Sequence, residues 1–253
     1  MKLCGLTAVL AALLALACAA YGYPTLQGPT GIVIVPTADT AGFANLQLAA
    51  AFYDSGEAGL VENSYPVRAL FGPLPGLEIG AAYWIAGFFG NDVNTWNLNA
   101  KLRSPIGLFG FATAVGAVYG QTNVPIGNDI TITQVYLVGT NNLTGILIPG
   151  SLGALRLTLG ANWTQFENGD SEDALRAFAG VDVQLLRRLS VAAEYQTASS
   201  SLGDVDPLTS LVARLTVSRN LTLEGGVTNA DPLTGGFTTL DEQNLFFGLI
   251  YQR

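Results

Sequence analysis

The sequence predicts an all-β fold, an antiparallel transmembrane β-barrel of about twelve strands behind a cleaved signal peptide. Three observations point there. Segments of about ten residues alternate apolar and polar side chains, as a strand with two different faces does. The connections between them alternate short and long. Only 12% of the 253 residues are charged while 49% are apolar, whereas soluble domains run at about 25% charged because their surface meets water.

In chain order, Met1-Lys2, the apolar run Leu6 to Leu16 and the small residues around Ala17-Cys18-Ala19 read as a signal peptide over residues 1–19, too short to span a bilayer as a helix. Both cysteines, Cys4 and Cys18, lie in this leader, so a disulfide framework is not expected in the mature chain, and Cys18 stands as an alternative lipid anchor. Residues 20–43 read as a periplasmic lead-in or plug strand, with a short β-like run at Gly31-Ile32-Val33-Ile34-Val35 closed by Pro36.

The barrel is expected over residues 44–253. Its strands are placed at 44–53, 65–72, 77–86, 95–104, 109–120, 130–140, 154–164, 174–185, 189–198, 209–218, 221–229 and 244–252. The cleanest is 154–164, where Leu155, Leu157, Leu159, Ala161 and Trp163 oppose Arg156, Thr158, Gly160, Asn162 and Thr164. Ten residues rise about 33 Å, and a tilt near 40° reduces this to about the 25 Å of an outer-membrane apolar band. The most apolar stretch, Ile106 to Tyr119, holds three glycines and is too short for a spanning helix.

Short turns are expected at 73–76, 105–108, 186–188 and 219–220, and long loops at 54–64, 88–94, 121–129, 165–173, 199–208 and 230–243. The connection Asn141 to Gly153 breaks the alternation, being long on the short-turn side. The six long loops hold 14 of the 19 acids and no Lys or Arg, whereas Arg187, Arg188 and Arg219 sit in turns, so the acidic loops face outside. No connection exceeds about 15 residues, so a large folded-in plug formed by a loop is not expected.

Ten charges within strands fall on the face opposite the more apolar one: Arg68, Glu78, Lys101, Arg103, Arg156, Arg176, Asp182, Glu194, Arg214 and Glu224. Lys or Arg on the lipid face near the midplane costs about 2–4 kcal/mol, so these belong in a lumen. Six basic against four acidic groups either pair off as a closed core or leave a weakly anion-favouring path. Tyr53, Tyr65, Tyr83, Trp84, Trp96, Tyr119 and Trp163 lie toward the predicted outer rim, as an aromatic girdle would. A soluble barrel or sandwich also alternates; strand length, loop asymmetry and a Gly- and Ala-rich opposite face argue against it.

The N-terminal residues Gly28, Pro29, Thr30, Gly31, Pro36, Thr37 and Ala38, with Gly42 ahead of Leu46 to Tyr53, resemble the opening motif of the YjbH-like family of exported proteins associated with exopolysaccharide operons. The resemblance covers about 30 residues. It implies an outer-membrane location and a link to exopolysaccharide biosynthesis or export.

With no His in the chain, Ser-His-Asp and Cys-His nucleophile chemistry is excluded. The acids Asp170, Glu172 and Asp173 read as solvated loop surface and lack the spacing of a calcium loop. No enzyme, metal or cofactor is expected, and a formal charge of -8 argues against nucleic acid. The expected partners are outer-membrane lipid and lipopolysaccharide, with a small solute or polysaccharide as cargo. The functional expectation is a porin-like passive channel for ions or small polar solutes; the alternative is a structural or accessory barrel linked to exopolysaccharide.

Overall fold

A computed structural model describes residues 22–54, 61–88, 91–124, 128–143, 155–199 and 206–253. The predicted signal peptide and most of the Asn141 to Gly153 connection lie outside these residues. Two short strands, β1 (Tyr23–Pro24) and β2 (Thr30–Gly31), pair with each other alone. Twelve more form one closed antiparallel barrel: β3 (Leu46–Asp54), β4 (Val61–Leu74), β5 (Leu77–Phe88), β6 (Asn91–Arg103), β7 (Ala112–Asn123), β8 (Ile130–Asn142), β9 (Leu155–Asn168), β10 (Asp170–Leu186), β11 (Leu189–Gln196), β12 (Leu208–Thr216), β13 (Leu221–Ala230) and β14 (Thr239–Gln252). Each pairs with its sequence neighbours, and β14 closes the ring on β3 through Leu245↔Asp54 to Gln252↔Gln47. Closure leaves no edge strand whose backbone would face hydrocarbon unpaired.

The wall has the two faces that the alternation requires. β3 runs exposed-buried along all its residues, with Leu46, Leu48 and Phe52 outward and Gln47, Ala49, Ala51 and Tyr53 inward. Large apolar side chains project from the outside of every barrel strand for which an exposure is given, among them Leu98, Leu137, Leu175, Leu211 and Phe247. Such an exterior suits lipid rather than water, and no helix among the described residues is long and apolar enough to cross a membrane. The protein is an outer-membrane-type barrel. The start of β3 and the residue after β14 meet at one rim, where Leu46 and Arg253 exchange backbone hydrogen bonds of 3.0 and 2.9 Å. We call this the turn end and the opposite rim the loop end.

Several strands extend farther than expected. The predicted loop 165–173 is ladder on both sides, with Asp170 paired to Asn168 and Gly169 alone at the turn, in the left-handed region at φ 82°. Its acids Glu167, Asp170, Glu172 and Asp173 are exposed on a hairpin rather than in an irregular loop.

Of the two readings of residues 22–42, periplasmic lead-in or plug strand, they take the second: from Pro24 to Ala41 they are buried, packed inside the barrel. The Ile32-to-Val35 run would expose apolar surface to water outside; inside, it joins two cores. Leu26, Ile32, Val33 and Ile34 pack with Tyr53, Trp84, Ala192, Leu208, Val212 and Phe246 of the wall. Val35 and Ala38 pack with Val118, Ile132, Tyr136, Val138 and Phe178. A connection also folds inward, against expectation: in Asp231 to Thr238 a 3₁₀ turn (Pro232–Thr234) leads to fully buried Phe237, part of the second core.

Candidate functional site: a filled and charged lumen

The inward wall is stepped to receive these inserts. Tyr136 lies over Gly116, Phe178 over Gly160 and Phe246 over Gly226, and a side chain beginning at any of those glycines would overlap the ring. The small residues of the inner face are therefore seats for aromatics, the pairing that keeps a tightly curved barrel filled. Gly180 seats Ile32 of the N-terminal segment in the same way.

All ten charged residues expected in the lumen lie on the inner face. Those nearest the turn end form a ring. Arg68 NH2 meets Glu224 Oε1 at 2.8 Å, and Arg214 Nε approaches Glu224 Oε2 at 3.5 Å. Lys101 Nζ lies 3.2 Å from Glu78 Oε1, its cross-strand partner. Arg156 pairs with Asp39 of the N-terminal segment and stands 3.7 Å from Asp182. Arg103 is half-buried at the rim. Farther toward the loop end, Arg176 has no carboxylate partner among the described residues; its NH2 donates to Phe237 O at 2.8 Å, and Gln196 turns its amide oxygen to Nε at 2.7 Å.

This ring grips the segment largely through backbone atoms. Glu78 accepts from Thr30 N at 2.9 Å and Ala41 N at 2.7 Å. Glu194 accepts from Val33, Ile34 and Val35 N at 2.9, 2.8 and 3.0 Å. Arg68 donates to Pro24 O at 3.2 Å, Lys101 to Thr30 O and Thr37 O at 3.0 and 3.3 Å, and Arg214 to Ile32 O. A buried carboxylate is tolerated only when such donors replace lost water, so the inserts satisfy the wall as much as the wall satisfies them.

Apart from Arg176 and Asp231, the contacts described in the loop-end half are between uncharged groups. Thr95 and Thr122 both donate to Leu233 O, at 2.8 and 3.1 Å, and Ser210 bonds Thr228. The two inserts meet where Gln27 Nε2 donates to Gly236 O at 3.0 Å. Asp231 caps the 3₁₀ turn, accepting from Leu233 N and the Thr238 hydroxyl at 2.9 Å each; burial pushes its carboxyl above the usual aspartate range in spite of these bonds.

The girdle needs correction at two positions. Tyr65, Tyr83, Tyr119 and Trp163 project outward, and Trp96 is partly exposed on the same surface. Tyr53 and Trp84 are fully buried inside, with Trp84 Nε1 donating to Leu26 O at 3.1 Å and Tyr53 OH to Ala230 O. Trp84 directly follows outward Tyr83, and adjacent strand residues face opposite ways. The sequence reading missed the partners of the ring: Thr30, Asp39 and the backbone of 22–42. Its available signal was an apolar run next to ten inward charges of unequal sign.

No family model and no curated protein matches the chain. Among solved structures, it is similar to the KdgM porin, at 11% identity with a TM-score of 0.57, and to the same porin in complex with disordered oligogalacturonate, at 11% and 0.58. Each covers 82% of this chain and 98% of that one. At this identity the likeness is one of fold: a closed twelve-stranded antiparallel barrel of the outer-membrane porin type.

Proposed function

We propose that the protein is an outer-membrane, porin-like passive channel for ions or small polar solutes, here with its lumen shut by its own residues 22–42 and 231–238. One observation carries this reading: the inner wall holds six basic and four acidic side chains, far more charge than a barrel filled only for stability needs, since buried ion pairs seldom stabilise more than apolar packing does. The likeness in fold to the KdgM porin supports it. A carboxylated or hydroxyl-bearing solute suits the excess of basic groups. A YjbH-like link to exopolysaccharide rests on Gly28 to Ala38 and Gly42, which lie in the segment that fills the lumen, and on the barrel strand Leu46 to Tyr53 that follows.

A second reading is favoured by the continuous apolar cores between insert and wall. It makes the barrel a static structural or accessory component whose acidic loop end meets lipopolysaccharide through divalent cations. Planar-bilayer recording of the refolded full chain across a salt gradient separates the two. Discrete openings between long closures are the expected result. A folded, heat-modifiable protein that stays silent at all voltages would replace the channel with the static barrel.

A further inference from the structure

We propose that the inner wall is a peptide-binding site and that residues 22–42 are its ligand, a separable unit that docks in the lumen and exchanges with the same peptide supplied from solution. The binding stands on the geometry below; only its consequence for conductance rests on the channel reading.

The segment folds on itself. Thr25 N donates to Pro29 O and Leu26 N to Val33 O, each at 2.6 Å, Ile32 N donates to Val35 O at 2.9 Å, and Thr37 N donates to Thr30 O at 3.0 Å. β1 and β2 pair with each other and with no barrel strand, and the ring closes through β14 and β3 without them. The wall recognises this unit as a receptor recognises a folded peptide. Two carboxylates gather five backbone N–H groups, and Arg68, Lys101, Arg214 and Trp84 reach its carbonyls. Two side chains add register: Asp39 on Arg156, and the Thr30 hydroxyl, which accepts from Lys101 and lies 3.0 Å from Glu78 Oε2. Ile32 supplies the apolar anchor in the notch over Gly180.

The covalent tie is narrow. The chain leaves the lumen at Gly42, φ 85°, passes exposed Phe43 and Ala44, and crosses β4 so closely at Gly72 that no side chain fits there. Ala44 N then donates to Gly72 O at 2.7 Å. Phe43 and Ala44 form an accessible junction between docked unit and barrel.

The test keeps the whole chain. A site-specific protease sequence is inserted between Phe43 and Ala44, the protein is folded in detergent and then cleaved, and fluorescent synthetic peptide of residues 22–43 is added in excess. The expected result is a nicked barrel that retains its segment and takes up labelled peptide saturably, while a scrambled peptide is refused. Glu194→Gln leaves one acceptor oxygen for three converging N–H groups, so segment release should be at least about tenfold faster. A nicked barrel that unfolds, or that stays folded without any exchange, overturns the proposal. Gly180→Phe in the uncut chain gives an independent check: filling the Ile32 notch should expose residues 22–42 to general protease while the barrel stays heat-modifiable, and continued protection would also overturn it. Peptide exchange without conductance in the emptied barrel would sink the channel and leave the binding site. Conductance that added peptide fails to block would do the reverse.

Discussion

At the residue scale, the inner wall couples its buried charges to partners, so single changes act by leaving a buried group alone. Arg68 is 2% exposed and serves both Glu224 and Pro24 O. Arg68→Met should cost about 3 kcal/mol, the lower part of the range for breaking a buried pair, because Arg214 still faces Glu224. A lower urea midpoint of refolding into vesicles is the check, and an unchanged midpoint would show the pair to be idle. Asp231 gives a pH signature. Its folded-state carboxyl is raised, so the folded state holds a proton that the unfolded chain has released, and this contribution to stability is lost as pH rises from the ordinary aspartate value through the raised one. Asp231→Asn removes that dependence, so the gap between wild-type and variant urea midpoints should change across this window. A constant gap would mean that Asp231 titrates as an ordinary aspartate.

At the element scale, the alternation of apolar and polar residues made all twelve strands and their order legible, because lipid outside and a crowded interior inside impose opposite demands on successive residues. Strand ends were less legible. The hairpin of β9 and β10 rises past the apolar band, where polar side chains on both faces remove the contrast, so Gln165 to Asp173 read as a loop although it is ladder. The same parity rule argues against Tyr53 and Trp84 as girdle residues; their aromatic character outweighed their position. Strand faces also carry a prediction. Leu137 is 63% exposed near the middle of β8, so Leu137→Arg should destabilise the barrel in vesicles by about 2–4 kcal/mol. The midpoint of urea-induced unfolding measures it, and a cost near zero would place Leu137 outside the hydrocarbon.

At the scale of the whole molecule, the lumen's contents were only partly legible: a plug strand was one of two readings of residues 20–43, while its partners and the inward turn of 231–238 were not foreseen. Periodicity reports which way a side chain points, but not that a segment without periodicity will fold back among inward charges. Two features held that information only jointly: the apolar run Ile32 to Val35, which has no strand partner in the barrel, and the excess of six basic over four acidic wall residues, which calls for anionic or carbonyl groups from elsewhere. Asp39, Phe237 O and the segment's carbonyls meet that call. If the segment swings out through the turn end, the bare wall regains its net charge of +2 by the same count, and a path between low-dielectric walls of that sign favours anions. Arg156→Glu and Arg214→Glu together take the wall from +2 to -2, and both positions lie in the turn-end ring through which any ion would pass. The reversal potential of the open state in a salt gradient should therefore change sign toward cations in the double variant, with each single variant between. Openings whose reversal potential ignores both substitutions would mean that ions cross by a route other than the ring.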